Sequence, residues 1–354
     1  MKIIFYPSDN LTNKYGAIIT EGLKENGIQL IRYEDAFKKI NIFMSIDIAH
    51  LNWFETLGNN TSTNIKRFIG RTAKLLALKL FGKKIVWTMH NRIPHDQKNI
   101  ILKKNMMRLI IWLSDVIIIH SKVSEAILIS EYNVDKRKIR YIPHPDYIDS
   151  YKPFKASAIG QKSDNILYLL FLGAVKPYKN IELLIDVVKQ YSNDVVLTIA
   201  GDASNSLYRD YIKEYAKASQ NIKLHLQFIP DDMLTTYIED CDLLALPYDI
   251  KSSLNSGTAI LAFSNARTVI CPNIGTVCDV SDKSMVLSYD YLDKEEHFDM
   301  ISKKISEAIE MKKKNKAIFK ELGNTVLNEV SYYNKKEKVI NNFIQEYNLM
   351  LKTG

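Results

Sequence analysis

Short blocks of consecutive apolar residues alternate along this chain with stretches in which apolar residues return every third or fourth position. The blocks KIIFYP, SIDIAHL, KIVWTMH, VIIIHS and IRYIPH predict strands. AIITEGLKENG predicts a helix that stops at Gly27, and the strand IQLIRYE completes a first βαβ unit. From 147 to 164 the pattern fails, with Pro, Ser, Gly and charges in no period, which marks a linker. The alternation then resumes. ILYLLFLG, VVLTIAG, IKLHLQF, LLALPY, TVICP and MVLS read as strands; NIELLIDVVKQYS, SLYRDYIKEYAKAS, DMLTTYIEDC and GTAILAFSNA read as helices. EVSYYNKKEKVINNFIQEYNLMLK reads as one closing helix. Strands separated by helices imply parallel sheets covered on both faces. The expected fold is α/β: two doubly wound Rossmann-like domains in tandem, over 1–148 and 166–330, with a linker at 149–165 and a final helix at 331–354. Ligands of such sheets bind beyond the carboxyl ends of the strands, so a site in the cleft between the domains is expected.

The 354 residues, 46% hydrophobic and 25% charged, suffice for two cores. That composition excludes intrinsic disorder, collagen and a disulfide scaffold. Cys241, Cys271 and Cys278 form no CxxC or Cys/His cluster, so neither a disulfide framework nor a metal site is expected. MKIIFYPSDN turns polar too soon for a signal peptide, and no apolar run reaches the roughly 18 residues of a membrane span.

Charge changes the picture more. The net charge is +8, yet residues 1–150 hold 23 Lys and Arg against 14 Asp and Glu, and the remainder 25 against 26. Between 56 and 114 stand 12 basic residues and one acid, Asp96. A solvated face is the plain reading; a surface for polyanions is the functional one. FIGRTAKLLALKLFG and ILKKNMMRLIIWL interleave apolar and basic residues at helical spacing, which suits an anionic membrane surface with Trp112 as an interfacial anchor. Equally, these helices would bury their apolar faces in the domain core. Nucleic acid is the rival polyanion, but no nucleic-acid motif occurs, and none is expected as a partner.

Two junctions in the second half attract phosphate. In FLGAVKPYKN (171–180), Gly173 allows a sharp turn, and Lys176 and Lys179 stand between a strand's carboxyl end and a helix N-terminus. In the segment 243–275, the strand LLALP leads to a loop, and Ser256, Gly257 and Thr258 open an apolar helix whose first N–H groups are free. Ordinary N-capping would account for one Ser or Thr there. Two facing cradles would hold one nucleoside diphosphate.

With those blocks in hand, the chain resembles the GT-B-fold nucleotide-sugar glycosyltransferases of the bacterial surface-polysaccharide type, glycosyltransferase family 4-like. The resemblance rests on HLNWFE, TMHNRIPH, IPHPDYIDSY, FLGAVKPYKN, IAGD, LLALPYD and NSGTAILAFSNARTVICPNIG, in that order, over essentially the whole chain. It implies that the first domain takes the acceptor and the second the donor, a UDP- or GDP-sugar, with no metal and no other cofactor. It also implies a last helix that crosses back to the first domain. Gly173, Lys176 and Lys179 match the family's glycine turn and diphosphate contacts, and Ser256, Gly257 and Thr258 its donor-phosphate helix start. Gly201 and Asp202 match a glycine-ended strand near the nucleotide base, and Tyr248 and Asp249 the loop lining the donor site. Ser253 and Leu261 stand where many retaining members carry paired glutamates, which leaves the stereochemistry open.

In the first half, His90 and Asn91 follow the strand KIVW, with His95 and Asp96 shortly after; His50, Asn52 and Trp53 end another strand. Glycosyl transfer needs an acceptor hydroxyl placed and, for inversion, deprotonated. His90, Asn91, His95 and Asp96 are therefore the candidate catalytic residues, and His50, Asn52 and Trp53 the candidate acceptor contacts. His144 in IPHPDY reads as structural. His90 and His95 have no third ligand in view, which argues against a metal site. The expected function is transfer of a sugar to a lipid-linked glycan by a cytoplasmic protein resting on the inner leaflet of the membrane. A nucleotide-sugar epimerase of the same fold and a basic-patch nucleic-acid-binding protein are the alternatives.

Overall fold

Every strand pairing in the computed structural model of this chain is parallel. The described residues are 1–7, 13–58, 61–92, 100–151 and 162–352. The chain runs β1 (Lys2–Tyr6), α1 (Lys14–Glu25), β2 (Gln29–Ile31), α2 (Tyr33–Ala36), α3 (Ile40–Met44), β3 (Ile48–Asn52), α4 (Thr61–Leu80), β4 (Lys84–Met89), α5 (Ile100–Leu113), β5 (Val116–Ile119), α6 (Lys122–Tyr132) and β6 (Ile139–Tyr141). It continues with β7 (Leu167–Leu172), α7 (Ile181–Lys189), β8 (Val195–Ala200), α8 (Ser206–Ala216), β9 (Ile222–His225), α9 (Asp231–Glu239) and β10 (Leu243–Ala245). Then follow α10 (Gly257–Ser264), β11 (Val269–Pro272), α11 (Gly275–Cys278), β12 (Leu287–Tyr289), α12 (Lys294–Lys314), α13 (Ile318–Tyr333) and α14 (Lys336–Lys352).

One sheet has the order β2-β1-β3-β4-β5-β6 and the other β12-β11-β10-β7-β8-β9. Both are doubly wound, with the strand order reversing between β1 and β3 in the first and between β7 and β10 in the second. The chain divides into two units: Met1–Pro145 with Lys251–Asn255 and Asn334–Gly354, and Asp146–Ile250 with Ser256–Tyr333. The proposed linker at 149–165 falls largely on 152–161, outside the described residues. The closing segment is two helices rather than one. EVSYY finishes α13 in the second unit, and α14 packs in the first. Asn334, at the break, donates through Nδ2 to the His144 carbonyl at 2.7 Å.

Successive side chains of a parallel strand enter opposite layers, so both layers must be apolar. In β4, Ile85, Trp87 and Met89 join a core with Leu75 and Leu78 of α4 and Met106 of α5. Val86 points to the other layer, where Tyr15 and Ile19 of α1 meet Val339, Phe343 and Tyr347 of α14.

The α1/α14 layer also contains a chain of polar groups that no periodicity announces. His50 is fully buried, with Nδ1 2.5 Å from the Tyr347 hydroxyl and Nε2 2.7 Å from Thr88 Oγ1. His120 places Nδ1 2.7 Å from the Ile142 carbonyl and Nε2 3.0 Å from the Tyr15 hydroxyl. A carbonyl only accepts, so His120 Nδ1 carries the proton and Nε2 accepts from Tyr15. Both His50 nitrogens are thus partnered, one by Thr88 of β4 and the other by Tyr347, which ties α14 to the sheet through its side chains.

Burial holds these imidazoles neutral, pushing His50 to about 3, His144 to about 3 and His120 to about 4, against an ordinary value of 6.5. The unfolded chain thus binds more protons, so the stability of the first unit is full above about pH 6.5 and declines as pH falls toward 4. Each histidine should cost about 2 kcal/mol at pH 5 relative to pH 7.5. Trp53, Trp87 and Trp112 all lie in the first unit, so denaturant melts followed by tryptophan fluorescence read it directly. A His50→Phe variant should show a shallower pH dependence; equal slopes would remove His50 from the effect.

Candidate functional site

In the second unit the two junctions expected to attract phosphate flank the point where the strand order reverses. β7 ends at Gly173 (φ +122°) and the neighbouring β8 at Gly201 (φ +146°). The Gly173 N–H donates to the Ala200 carbonyl at 3.0 Å. A Cβ on Gly201 would lie 1.9 Å from the Gly173 carbonyl oxygen, so backbone presses on backbone and only glycine fits. A Cβ on Gly173 would be 3.5 Å from Thr258 Oγ1, which places the glycine turn against the start of α10.

Ser256 is the N-cap of α10. Its Oγ accepts from the Ala259 N–H at 3.0 Å and approaches the Tyr248 hydroxyl at 3.3 Å, while its own N–H donates to Thr276 Oγ1 at 2.8 Å. The Ser256 hydroxyl is thus committed to the cap. The donors this helix start leaves open are the Gly257 and Thr258 N–H groups, which have no intrahelical acceptor. Tyr248 is buried, and that burial pushes its phenol up to about 12, while Ser256 donates to it. Lys179 Nζ stands 3.8 Å from the Tyr248 ring centroid. Desolvation lowers the Lys179 pKa, and Cys271 close by opposes that shift.

The other candidates of this unit divide. Lys176 is half-buried and begins the single turn that Lys179 ends. Asp202 is an exposed partner of Arg209 at 3.1 Å. Asp249 is half-buried beside Tyr291 and His297, whose rings stack at 3.9 Å. Ser253 and Leu261 are both buried. Asn180 was not singled out from sequence, yet it adopts φ +53° and donates to the Pro247 carbonyl at 2.9 Å, joining the β7–α7 and β10–α10 loops. An Asn at the end of a Lys-rich turn was the available signal.

In the first unit, Asn52 bridges the reversal between β1 and β3: its Nδ2 donates to the Tyr6 carbonyl at 3.0 Å. Its Oδ1 then faces His90 Nε2 at 3.0 Å. The carboxamide oxygen only accepts, so Nε2 carries the His90 proton and Nδ1 offers a lone pair. Trp53 (φ +49°) stacks on His90 with centroids 3.9 Å apart. Burial first, then His120, His144 and His50, hold His90 well below the usual imidazole range. Asn255, which sequence reasoning did not single out, donates to the Met89 and His90 carbonyls at 3.3 and 3.1 Å.

Two expectations change here. His50 does not meet an acceptor, because both nitrogens are used inside the core. Asn52 is fully buried and acts on His90 rather than on a ligand. Trp53 is half-buried with one ring face already covered by His90. Asn91 is half-buried at the start of its loop; His95 and Asp96 lie outside the described residues. Among the described residues, no three or more His, Cys, Asp or Glu group as a metal site.

Two doubly wound parallel sheets, with glycine-lined junctions at a reversal point, define the GT-B class. Anabaena HepE, solved in complex with UDP, superposes with a TM-score of 0.67 at 15% identity, covering 98% of this chain and 99% of that one. Sucrose-phosphate synthase from Thermosynechococcus elongatus superposes with 0.73 at 14% identity, over 100% and 99%. Residues 154–321 match the family Glycosyl transferases group 1. A GDP-mannose:glycolipid 4-beta-D-mannosyltransferase of Xanthomonas campestris pv. campestris is 26% identical over 234 residues, 64% of this chain. The match spans 61% of that relative's length.

Gly201→Ala should destabilise the second unit by about 2 kcal/mol or more, since it combines a steric clash with an unfavourable φ. The matching control, Gly16→Ala, meets nothing within 4 Å. Thermal melts of both variants check this: equal stability would show that the Gly173–Gly201 contact yields without cost.

Proposed function

We propose that this protein transfers a sugar from a nucleoside-diphosphate donor, bound by the second unit, to a lipid-linked glycan bound by the first, in surface-polysaccharide synthesis at the inner leaflet. The observation that carries the donor half is the cluster of Gly173, Thr258, Tyr248 and Lys179 at the strand-order reversal. Its two N–H groups and ammonium suit a diphosphate, and they stabilise the negative charge that grows on it as the sugar leaves. The mannosyltransferase relative, named for GDP-mannose and a glycolipid, supports a GDP-sugar and a lipid-linked acceptor. HepE, solved with UDP, keeps a UDP-sugar in play.

In this reading His90 is the general base. An acceptor hydroxyl donates its proton to Nδ1 as its oxygen attacks the anomeric carbon, and the sugar–phosphate bond breaks with its electrons going to the diphosphate. Asn52 is a positioning residue that keeps the His90 proton on Nε2. The depressed pKa keeps Nδ1 unprotonated well below neutral pH.

A thermal-shift series with GDP, UDP, ADP, CMP and dTDP tests the donor half. One nucleoside diphosphate should raise the melting temperature with or without EDTA; no shift with any of them would overturn the reading. Lys179→Ala should lower turnover by roughly tenfold or more with little change in stability. His90→Ala should abolish transfer while the nucleotide shift persists. Asn52→Asp sets a carboxylate beside the imidazole and raises its pKa by about 1–3. The acid limb of kcat/KM should move upward by a similar amount. An unmoved limb would mean that His90 is not the base.

A further inference from the structure

The basic helices α4 and α5 carry two apolar faces each, and the core uses only one. Leu75 and Leu78 of α4 and Met106, Met107 and Ile110 of α5 are buried together. Ile65, Ile69, Leu76 and Leu80 recur on α4 at spacings of four, seven and four, which sets them on one side, and all are exposed, Ile69 by 63% and Leu80 by 82%. On α5, Ile101 and Trp112 repeat this outward direction at 72% and 70% exposure. The two helices pack on each other. Between them Leu76, Leu80, Trp112 and Leu113 line an open groove with Lys79 at its edge.

The charges on these helices also divide. Arg71 is drawn inward, donating to the Phe54 and Thr56 carbonyls and the Tyr6 hydroxyl, and Arg67 donates to the Leu57 carbonyl. Lys74 lies 4.5 Å from the Tyr33 ring, and Lys79 pairs with Asp115 at 2.8 Å. Much of the basic stretch is therefore occupied in holding the fold. Lys66, Lys104 and Arg108 remain exposed beside the outward stripe, and neither helix contains an acid.

We infer that this α4/α5 face docks on an anionic lipid surface, with Ile69, Leu80 and Trp112 entering the headgroup region and Lys66, Lys104 and Arg108 meeting lipid phosphates. The inference deepens the proposed inner-leaflet role by naming the surface. An apolar stripe on two helices that contain cations and no acid complements an anionic interface, where apolar burial and charge attraction add. No helix among the described residues is long and apolar enough to cross a membrane.

The test is flotation of the full chain with phosphatidylcholine vesicles, with and without phosphatidylglycerol. The wild type should float with the anionic vesicles and show a blue shift of tryptophan emission. Ile69→Ser/Leu80→Ser/Trp112→Ser should bind at least about tenfold more weakly. Lys66→Glu/Lys104→Glu/Arg108→Glu should lose the preference for phosphatidylglycerol. If the triple serine variant does not fold, Trp112→Ser and the charge-reversed variant carry the test. Failure of the wild type to float, or equal flotation by the variants, overturns the docking face. So does a wild-type dimer that the serine substitutions convert to monomer without changing vesicle binding. Flotation needs no nucleotide, so a vesicle failure with an intact nucleoside-diphosphate shift sinks only the docking face, and the converse sinks only the donor reading.

Discussion

A buried imidazole must place both of its nitrogens, and much of the first unit is arranged around that requirement. His50 reaches Thr88 on the next strand and Tyr347 on the last helix, so strand, strand and helix are joined through one ring. Because His120 must donate to the Ile142 carbonyl, its other nitrogen accepts from the Tyr15 hydroxyl. Leaving any of these groups unpaired would cost about 1–3 kcal/mol of desolvation. A hydrogen-bonded imidazole inside an apolar layer therefore selects one position for α14.

The same logic, one residue pair further along the sheet, produces chemistry instead of anchorage. His90 is held by Asn52 on one nitrogen only. Its second nitrogen is left as a lone pair by a carboxamide that is itself committed to the Tyr6 carbonyl. In the second unit the corresponding constraint is steric. Gly201 and Gly173 admit no side chain between them, and that closeness brings the strand end to Thr258. Both arrangements stand where the strand order reverses, the place at which adjacent connections leave in opposite directions and open a crevice.

Most of the fold was legible because parallel strands buried on both faces read as apolar runs. KIVWTM, VIII and LYLLFL needed no tertiary information. The break between α13 and α14 was not legible, since Tyr332, Tyr333 and the following lysines continue a helical pattern through Asn334. The short α2 and α3 were missed for want of a full period. In the site, the glycines and the Ser-Gly-Thr start were legible from local backbone demands. The roles of His50 and Asn52 were not, because their partners Tyr347, Thr88 and His90 are distant in sequence.

By itself the sequence determined the α/β class, the two-sheet plan, the glycine turns, the helix start at Ser256 and the concentration of positive charge in the first 150 residues. These depend on local periodicity, backbone freedom and counting. Only the tertiary structure decided which nitrogen of His90 is free, that Ser256 spends its hydroxyl on the cap, and that Lys179 lies over the Tyr248 ring. It alone decided that α4 and α5 keep an outward apolar face after the core has been filled. Hydrogen-bond direction and burial depend on partners distant in sequence, and Tyr347 lies 297 residues from His50.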